Sequence, residues 1–340
     1  MNVEAATLTV AIRELLSQRG LPDNHAHDVA LALVETSLDG IDTHGVRLLK
    51  TYLLELEGGR AVKTPNMQVH GSLPAACVLD ADNALGAVAM SEAMRIASAR
   101  AANFGVAAVA VSNSNHFGAA GHYARLVATH GQIGLVFSNS DALVVPHGGS
   151  TPLNGTNPLA FAAPGAGGDD FNFDMATSHS SFTRVSHALD TGAAVDSNAL
   201  QGSRVAVSSQ HSVPILQPLG GVKGQGLAMA IQILCALLAS MPYDSELSHL
   251  YTPPYDAPRK ISHFAIVVQI GGFVPAKSFQ TRLAMLHQRF RNSEPAGELP
   301  VFVPGDRERA SRAARTKDGI PIDEELQSLL RPWIAARAPA

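Results

Sequence analysis

Val111-Ser112-Asn113-Ser114-Asn115-His116-Phe117-Gly118 opens the stretch on which the reading of this chain turns. It continues through Pro146-His147-Gly148-Gly149 and Gly155-Thr156-Asn157-Pro158 and closes on Phe173-Asp174-Met175-Ala176-Thr177-Ser178. Three apolar runs each end in a small polar cluster that holds Asn, His, Thr or Asp. Strands whose ends deliver polar groups into one cleft have this pattern. Taken singly, each cluster reads equally well as an ordinary turn, because Asn, Gly, Pro and Ser are turn residues. Together they point to a site.

The totals around that stretch narrow the class. The chain has 340 residues, 46% hydrophobic and 16% charged, enough for one large core or two modest ones. Aromatics are few, while 29 Gly and 20 Pro imply tight packing with many turns. The formal charge of −4 comes with no basic stripe, which disfavours nucleic-acid binding. Cys77 and Cys235 lie far apart in apolar runs and read as buried thiols, not as a disulfide framework or a metal site. The start, Met1-Asn2-Val3-Glu4, shows no signal-peptide pattern, and the apolar run 226–241 is too short to span a bilayer. The expected class is a cytoplasmic, enzyme-sized protein with no membrane segment.

Outward from the central stretch, apolar periodicity alternates between helix and strand, the mark of an α/β chain. Leu8, Ile12, Leu15 and Leu16 predict a first helix that Gly20 stops. Asp23 is placed to cap a second helix through Leu38, and a third begins near Thr43. These helices form a small N-terminal unit over residues 1–60, with a last helix within 320–336 packing nearby. Residues 61–310 hold the remaining elements. Among them are strands at 106–111, 133–138, 159–163, 171–173 and 263–270, and helices at 86–102, 119–129, 226–240 and 278–290. Residues 185–217 show no clear period, and a charged linker is expected after Asp306.

The common catalytic signatures are missing. There is no Gly-x-Gly-x-x-Gly after an early strand, no Walker loop, no His-Glu-x-x-His and no Gly-x-Ser-x-Gly. What remains is His, Arg, Asp and Lys beside glycine turns. In Asp42-Thr43-His44-Gly45-Val46-Arg47, a helix would put His44 and Arg47 on one face, the Arg to grip a carboxylate and the His to move a proton. In Asn115-His116-Phe117-Gly118, a helix starting at Gly118 or Ala119 would aim free N–H groups near His116. Asp174 ends an apolar run and suits a ribose or amide partner. Lys223 sits in a glycine turn before a helix and suits a phosphate or carboxylate. Each has a plain structural alternative: a surface Arg, a capping loop, a capped turn, an exposed Lys.

These pieces, with Lys223-Gly224-Gln225-Gly226 and Pro304-Gly305, resemble the malate/L-lactate dehydrogenase family, also called L-sulfolactate dehydrogenase-like, over roughly residues 5–310. That family includes ureidoglycolate dehydrogenase and the piperideine/pyrroline-2-carboxylate reductases. The resemblance implies a non-Rossmann NAD(P)-binding fold with a mostly antiparallel central sheet flanked by helices, 61–310 being the NAD(P)-binding and catalytic domain. It implies a homodimer, NAD or NADP as cofactor, and no metal. Carried over by position, His44, His116 and Thr43 are the catalytic candidates. Arg47 and Thr156 would hold a small carboxylate substrate. Cofactor contacts would come from His116, Phe117, Gly118, Ala119, Ala120, Ser140, Asp174, Met175, Ala176, Lys223, Pro304, Gly305 and Asp306. The implied reaction is hydride transfer between nicotinamide and a 2-oxo or 2-hydroxy acid. A cyclic or N-alkyl imino acid is the alternative substrate, and a weakened homologue that only binds ligand is a third possibility. Two departures bear on the choice. Thr43 stands where Ser is common, and Arg184 where the ketimine-reductase branch has Asp. Residues 188–216 lack the usual elements, with Asp196 as a remnant.

Overall fold

Apolar residues at helical spacing build α1 (Ala5–Gln18), α2 (Asp23–Leu38) and α3 (Leu49–Gly58) in the computed structural model, which describes residues 1–194, 200–206 and 212–335. Leu8, Ile12, Leu15 and Leu16 of α1 are buried as their spacing predicts. Asp23 does not cap α2. Pro22 holds that position, and the Asp23 carboxylate instead accepts from Arg13 Nε at 2.7 Å. The third helix starts later than expected, because Asp42–His44 and Val46–Leu48 form two short 3₁₀ turns joined at Gly45. A Cβ at Gly45 would come within 2.1 Å of Ser37 Oγ, so only glycine lets this turn lie against α2.

The chain ends close on this unit. Strand β1 (Asn2–Val3) pairs with β11 (Ile320–Pro321), and α10 (Glu324–Ala335) packs on α1 through Leu326 and Leu330. One continuous core joins these helices to the sheet, so the N-terminal helices have no separate core of their own.

Among the described residues, seven strands form the main sheet: β2 (Gln68–His70), β3 (Ala76–Asp80), β4 (Val106–Ser114), β5 (Gln132–Ser138), β6 (Leu159–Ala163), β7 (Phe171–Met175) and β10 (Ile261–Gln269). Their order is β2-β3-β4-β10-β5-β6-β7. Helix α4 (Gly86–Phe104) carries the chain back from β3, so β4 lies parallel to it; the other pairings are antiparallel. The expected mostly antiparallel sheet is thus a mixed one. Small residues set the spacing of the layers: Ala87, Ala93, Ala97 and Ala101 of α4 are buried over the sheet.

Register decides where the site lies. Ser114 stands opposite Ile261, His263 opposite Ser138, and Phe137 and Met175 both opposite Leu159. The ends of β4, β5 and β7 and the starts of β6 and β10 therefore meet at one edge of the sheet. Helix α5 (Ala120–Leu126) follows β4 at that edge.

Three segments differ from the sequence reading. Residues 185–217 begin inside α6 (Phe182–Thr191) and hold the paired strands β8 (Leu200–Ala206) and β9 (Ser212–Leu216); Asp196 lies outside the described residues. Helix α7 (Val222–Gln232) starts earlier than expected and runs into a π turn at Ile233–Leu237. After α8 (Ala276–Arg291), the supposed charged linker is the helix α9 (Asp306–Asp318), which has no buried residue. It is held by charge: Arg312 reaches Glu35 at 2.6 Å and Asp39 at 2.7 Å, and Arg315 reaches Asp42. An apolar period could not reveal a helix held that way.

Candidate active site

A cavity of about 380 Å³ opens at the sheet edge where the strand ends meet. The turn Asp42–Leu48, the β4–α5 link, the loops after β5 and β7, the loop before β6, and the proline-rich loop before β10 enclose it. Helices α6 and α9 each lend residues to its wall.

His116 is the most constrained group in it. Its ring lies 5.9 Å from that of His44, centroid to centroid. Gly118 N–H donates to Nδ1 at 3.4 Å, and the Tyr52 hydroxyl lies 3.1 Å from the same atom. A nitrogen that accepts from a backbone N–H carries no proton, so the proton of the neutral ring sits on Nε2. Burial pushes the His116 pKa well below the ordinary value, helped by His44, Arg259 and His263. Burial lowers His44 as well, and its Nδ1 meets Thr43 Oγ1 at 2.9 Å. Behind this pair, Phe117 stacks on the His263 ring at 4.6 Å, and His263 is clamped by Ser138 Oγ at 2.8 Å and Ser114 Oγ at 2.9 Å.

The opposite wall is built for acceptors. Asp174 takes the Gly121 N–H on Oδ2 at 2.7 Å, and burial raises its pKa to about 6, with Glu308 adding to the rise. A Cβ at Gly121 would stand 3.1 Å from that carboxylate, so glycine permits the approach. The neighbouring Asn172 Oδ1 is buried without a hydrogen bond among the described residues. Ser140 Oγ accepts from Thr156 N–H at 3.0 Å, and Thr156 Oγ1 lies 3.3 Å away. Asn157 fixes both loops: its Oδ1 takes Ser140 N–H at 3.1 Å, and its Nδ2 reaches Asp244 at 2.8 Å.

The cavity gathers most of the expected residues: Thr43, His44, His116, Phe117, Gly118, Ala119, Ala120, Ser140, Thr156, Asp174, Met175 and Ala176. Others lie elsewhere. Arg47 and His44 do not share a face, because the 3₁₀ turn sends Arg47 outward to a second cavity of about 290 Å³ beside Arg19 and Lys50, and leaves Leu48 facing the site. Lys223 is exposed at the start of α7 and does not line the cavity. Pro304, Gly305 and Asp306 stand outside it, with Asp306 paired to Arg291 and Arg309. The start of α5 is no free anion site either: the helix has seven residues, and its Gly121 N–H is taken by Asp174.

The sequence reading missed Tyr52, Arg259 and Asp39. Tyr52 reads as one more core residue of an amphipathic helix. Arg259 lies in a proline-rich loop, yet it is 3% exposed and faces the cavity, with Nε on Ser248 O at 3.0 Å and Nη2 paired to Asp141. Asp39 is buried at the wall between Arg125 and Arg312.

The model of the malate/L-lactate dehydrogenase family matches residues 3–331. The ureidoglycolate dehydrogenase (NAD(+)) of Escherichia coli K12 is 32% identical over 332 residues, 97% of this chain and 95% of that one. The solved sulfolactate dehydrogenase of Methanocaldococcus jannaschii superposes with a TM-score of 0.87 at 28% identity, covering 99% and 97% of the two chains. The Δ1-piperideine-2-carboxylate reductase of Pseudomonas syringae pvar. tomato gives 0.81 at 27%, covering 98% and 99%. By the reach of that match along the chain, this protein belongs to the malate/L-lactate dehydrogenase family.

Proposed function

We propose that the protein is an NAD(P)-dependent oxidoreductase that moves hydride between nicotinamide and a small 2-oxo or 2-hydroxy acid. The observation that carries this reading is His116 in the wall of a cavity that His44 and Arg259 also line, with its Nδ1 facing the Gly118 N–H and the Tyr52 hydroxyl, so that Nε2 is the nitrogen left to carry the proton. The cofactor, when bound, supplies the hydride. The residues present fit such a group. Asp174 and the orphaned Asn172 Oδ1 offer acceptors to ribose hydroxyls or a carboxamide, and Gly118, Ala119 and Ala120 leave backbone open to close approach. Those residues, with Ser140, Met175 and Ala176, are the proposed cofactor contacts.

The chain's own groups do the rest. His116 Nε2–H hydrogen-bonds the substrate carbonyl and gives its proton to the oxygen as negative charge develops there. Arg259 is the one arginine or lysine among the described lining residues, so it takes the role of carboxylate partner in place of Arg47. Thr156 lies within reach of the same substrate, and Thr43 orients His44.

A homodimer completes the reading. Val222, Met229, Ile233 and Leu237 recur at helical spacing along α7 and its π turn, and all are exposed, an apolar face suited to a second copy. Sedimentation at micromolar concentration tests it.

Oxidation of NADH and NADPH against pyruvate, oxaloacetate, a branched 2-oxo acid, piperideine-2-carboxylate, and pyruvate with methylamine tests the activity. Turnover of the oxo acids alone is the expected result. Turnover that requires an imine would move the protein to imino-acid reduction, and cofactor binding with no turnover would overturn both.

A further inference from the structure

We infer that the acid this site takes has a single carboxylate and a large apolar side chain. The inference rests on the reading of the site as one for a 2-oxo or 2-hydroxy acid. Three observations carry it: the turn at Leu48, the rings around Arg259, and the lack of a second arginine or lysine among the described lining residues.

Leu48 ends the turn that brings His44 to the cavity. It is 3% exposed and lines the cavity with that histidine. Its neighbour Arg47 points instead to the second cavity, beside Arg19 and Lys50. The turn thus presents a branched hydrocarbon to the site and keeps its charge outside.

Arg259 is anchored by Ser248 O, at 3.0 Å from Nε and 2.8 Å from Nη2, and pairs with Asp141. His249 Nε2 lies 3.7 Å from the same carboxylate. The His249 ring in turn lies 5.9 Å from that of Phe182 and 5.8 Å from that of Tyr251, centroid to centroid. All three rings line the cavity. Phe182 packs from α6 against a buried cluster that includes Leu143, which lines the cavity too. A carboxylate held by Arg259 therefore has aromatic and aliphatic surface beside it, and an apolar side chain placed there leaves water on favourable terms.

A second carboxylate would meet the opposite conditions. The charge of Arg259 is already matched by Asp141, and burial drives His44, His116 and His122 toward their neutral forms. Asp39, Asp174 and Glu308 line the cavity as well. A dicarboxylate would bring into this wall a second charge with acids around it and no cation to receive it, which burial penalises.

Oxidation of NADH or NADPH with pyruvate, 4-methyl-2-oxopentanoate, phenylpyruvate and oxaloacetate tests the inference. The better of the two apolar acids is expected to exceed both pyruvate and oxaloacetate in kcat/KM by roughly tenfold or more, the least that an apolar pocket discriminates per methylene. Leu48→Arg should raise the ratio of oxaloacetate to 4-methyl-2-oxopentanoate, and Phe182→Ala should lower that of phenylpyruvate to pyruvate, each by about tenfold. Pyruvate or oxaloacetate matching the better apolar acid overturns the inference, as do ratios that neither variant moves. Should Leu48→Arg not fold, Phe182→Ala decides, since Phe182 is only half-buried. Calorimetry with cofactor present, comparing 3-phenylpropanoate with succinate, reads the same preference without turnover. Tighter 3-phenylpropanoate in a protein that turns over no acid overturns the proposed activity and leaves the inference standing. Tighter succinate overturns the inference whatever the activity, and binding of neither overturns both.

Discussion

Asp169 lies just before β7 and Asp174 near its end, five residues on, and their surroundings push them in opposite directions. Asp169 faces the wall made by α8 and α9. Arg291 bonds both its oxygens, at 2.6 and 3.0 Å, and His287 and Arg309 approach within 3.0 and 2.9 Å. The Arg291 hydrogen bonds hold its pKa well below the carboxylate range, with His287 and Arg309 adding to the effect against partial burial. Asp174 faces the cavity, where burial dominates and the Gly121 N–H and the charge of Arg125 oppose it. At the rim a carboxylate is held charged by basic partners; in the cavity burial favours the neutral acid. The difference teaches that this fold places most of its arginines on architecture and leaves Arg259, paired with Asp141, in the cavity wall.

The largest effect should come from the interior. His116→Gln keeps the size of the side chain and removes the proposed proton donor, so kcat/KM should fall by roughly 10²–10⁴-fold with the amide spectrum unchanged. A loss of less than tenfold, on the order of 1.4 kcal/mol, would remove His116 from the chemistry. Next comes the choice between two arginines. Arg259→Lys should raise KM by roughly 10–100-fold, the worth of a hydrogen bond to a charged partner. Arg47→Ala should leave KM within about twofold, because an exposed charge outside the cavity is screened. The reverse outcome would restore Arg47 to the carboxylate.

Stability against pH sharpens the contrast. The folded pKa of Asp174 is raised, so its contribution is whole below its ordinary pKa of 3.8 and is lost as pH rises through about 6. Asp174→Asn should therefore gain on the wild type across that window, by on the order of 1 kcal/mol after solvent screening. Denaturant titrations at several pH values would show it, and parallel curves would contradict it. Asp169 behaves oppositely: its pKa is lowered, so its contribution is present above 3.8 and lost as pH falls further. Asp169→Asn should cost about 1 kcal/mol at neutral pH, a fall of about 2–4 °C in Tm, and nothing in strong acid.

What could be read in the sequence follows the same division. The polar clusters after β4, before β6 and after β7 are visible because they border apolar strands, and strand register then brings them to one edge. Apolar period found α1, α2, α4 and α8 for the same reason. It could not find α9, whose hold on the fold is Arg312 and Arg315 reaching acids about 270 residues away. Nor could it separate Arg47 from Leu48, since one residue of 3₁₀ turn decides which side chain meets the cavity. Arg259 was hidden by its loop: long-range burial, with Asp141 as partner, leaves no local pattern.

The pairing of β1 with β11 has a consequence for the order of synthesis. Helix α1 packs on α2 but gains α10 as a second partner only when residues 320–335 are made. Until then the part of its apolar face that α10 covers has no partner from that segment. A nascent chain that has not reached residue 320 therefore carries an apolar face open to aggregation or chaperone capture.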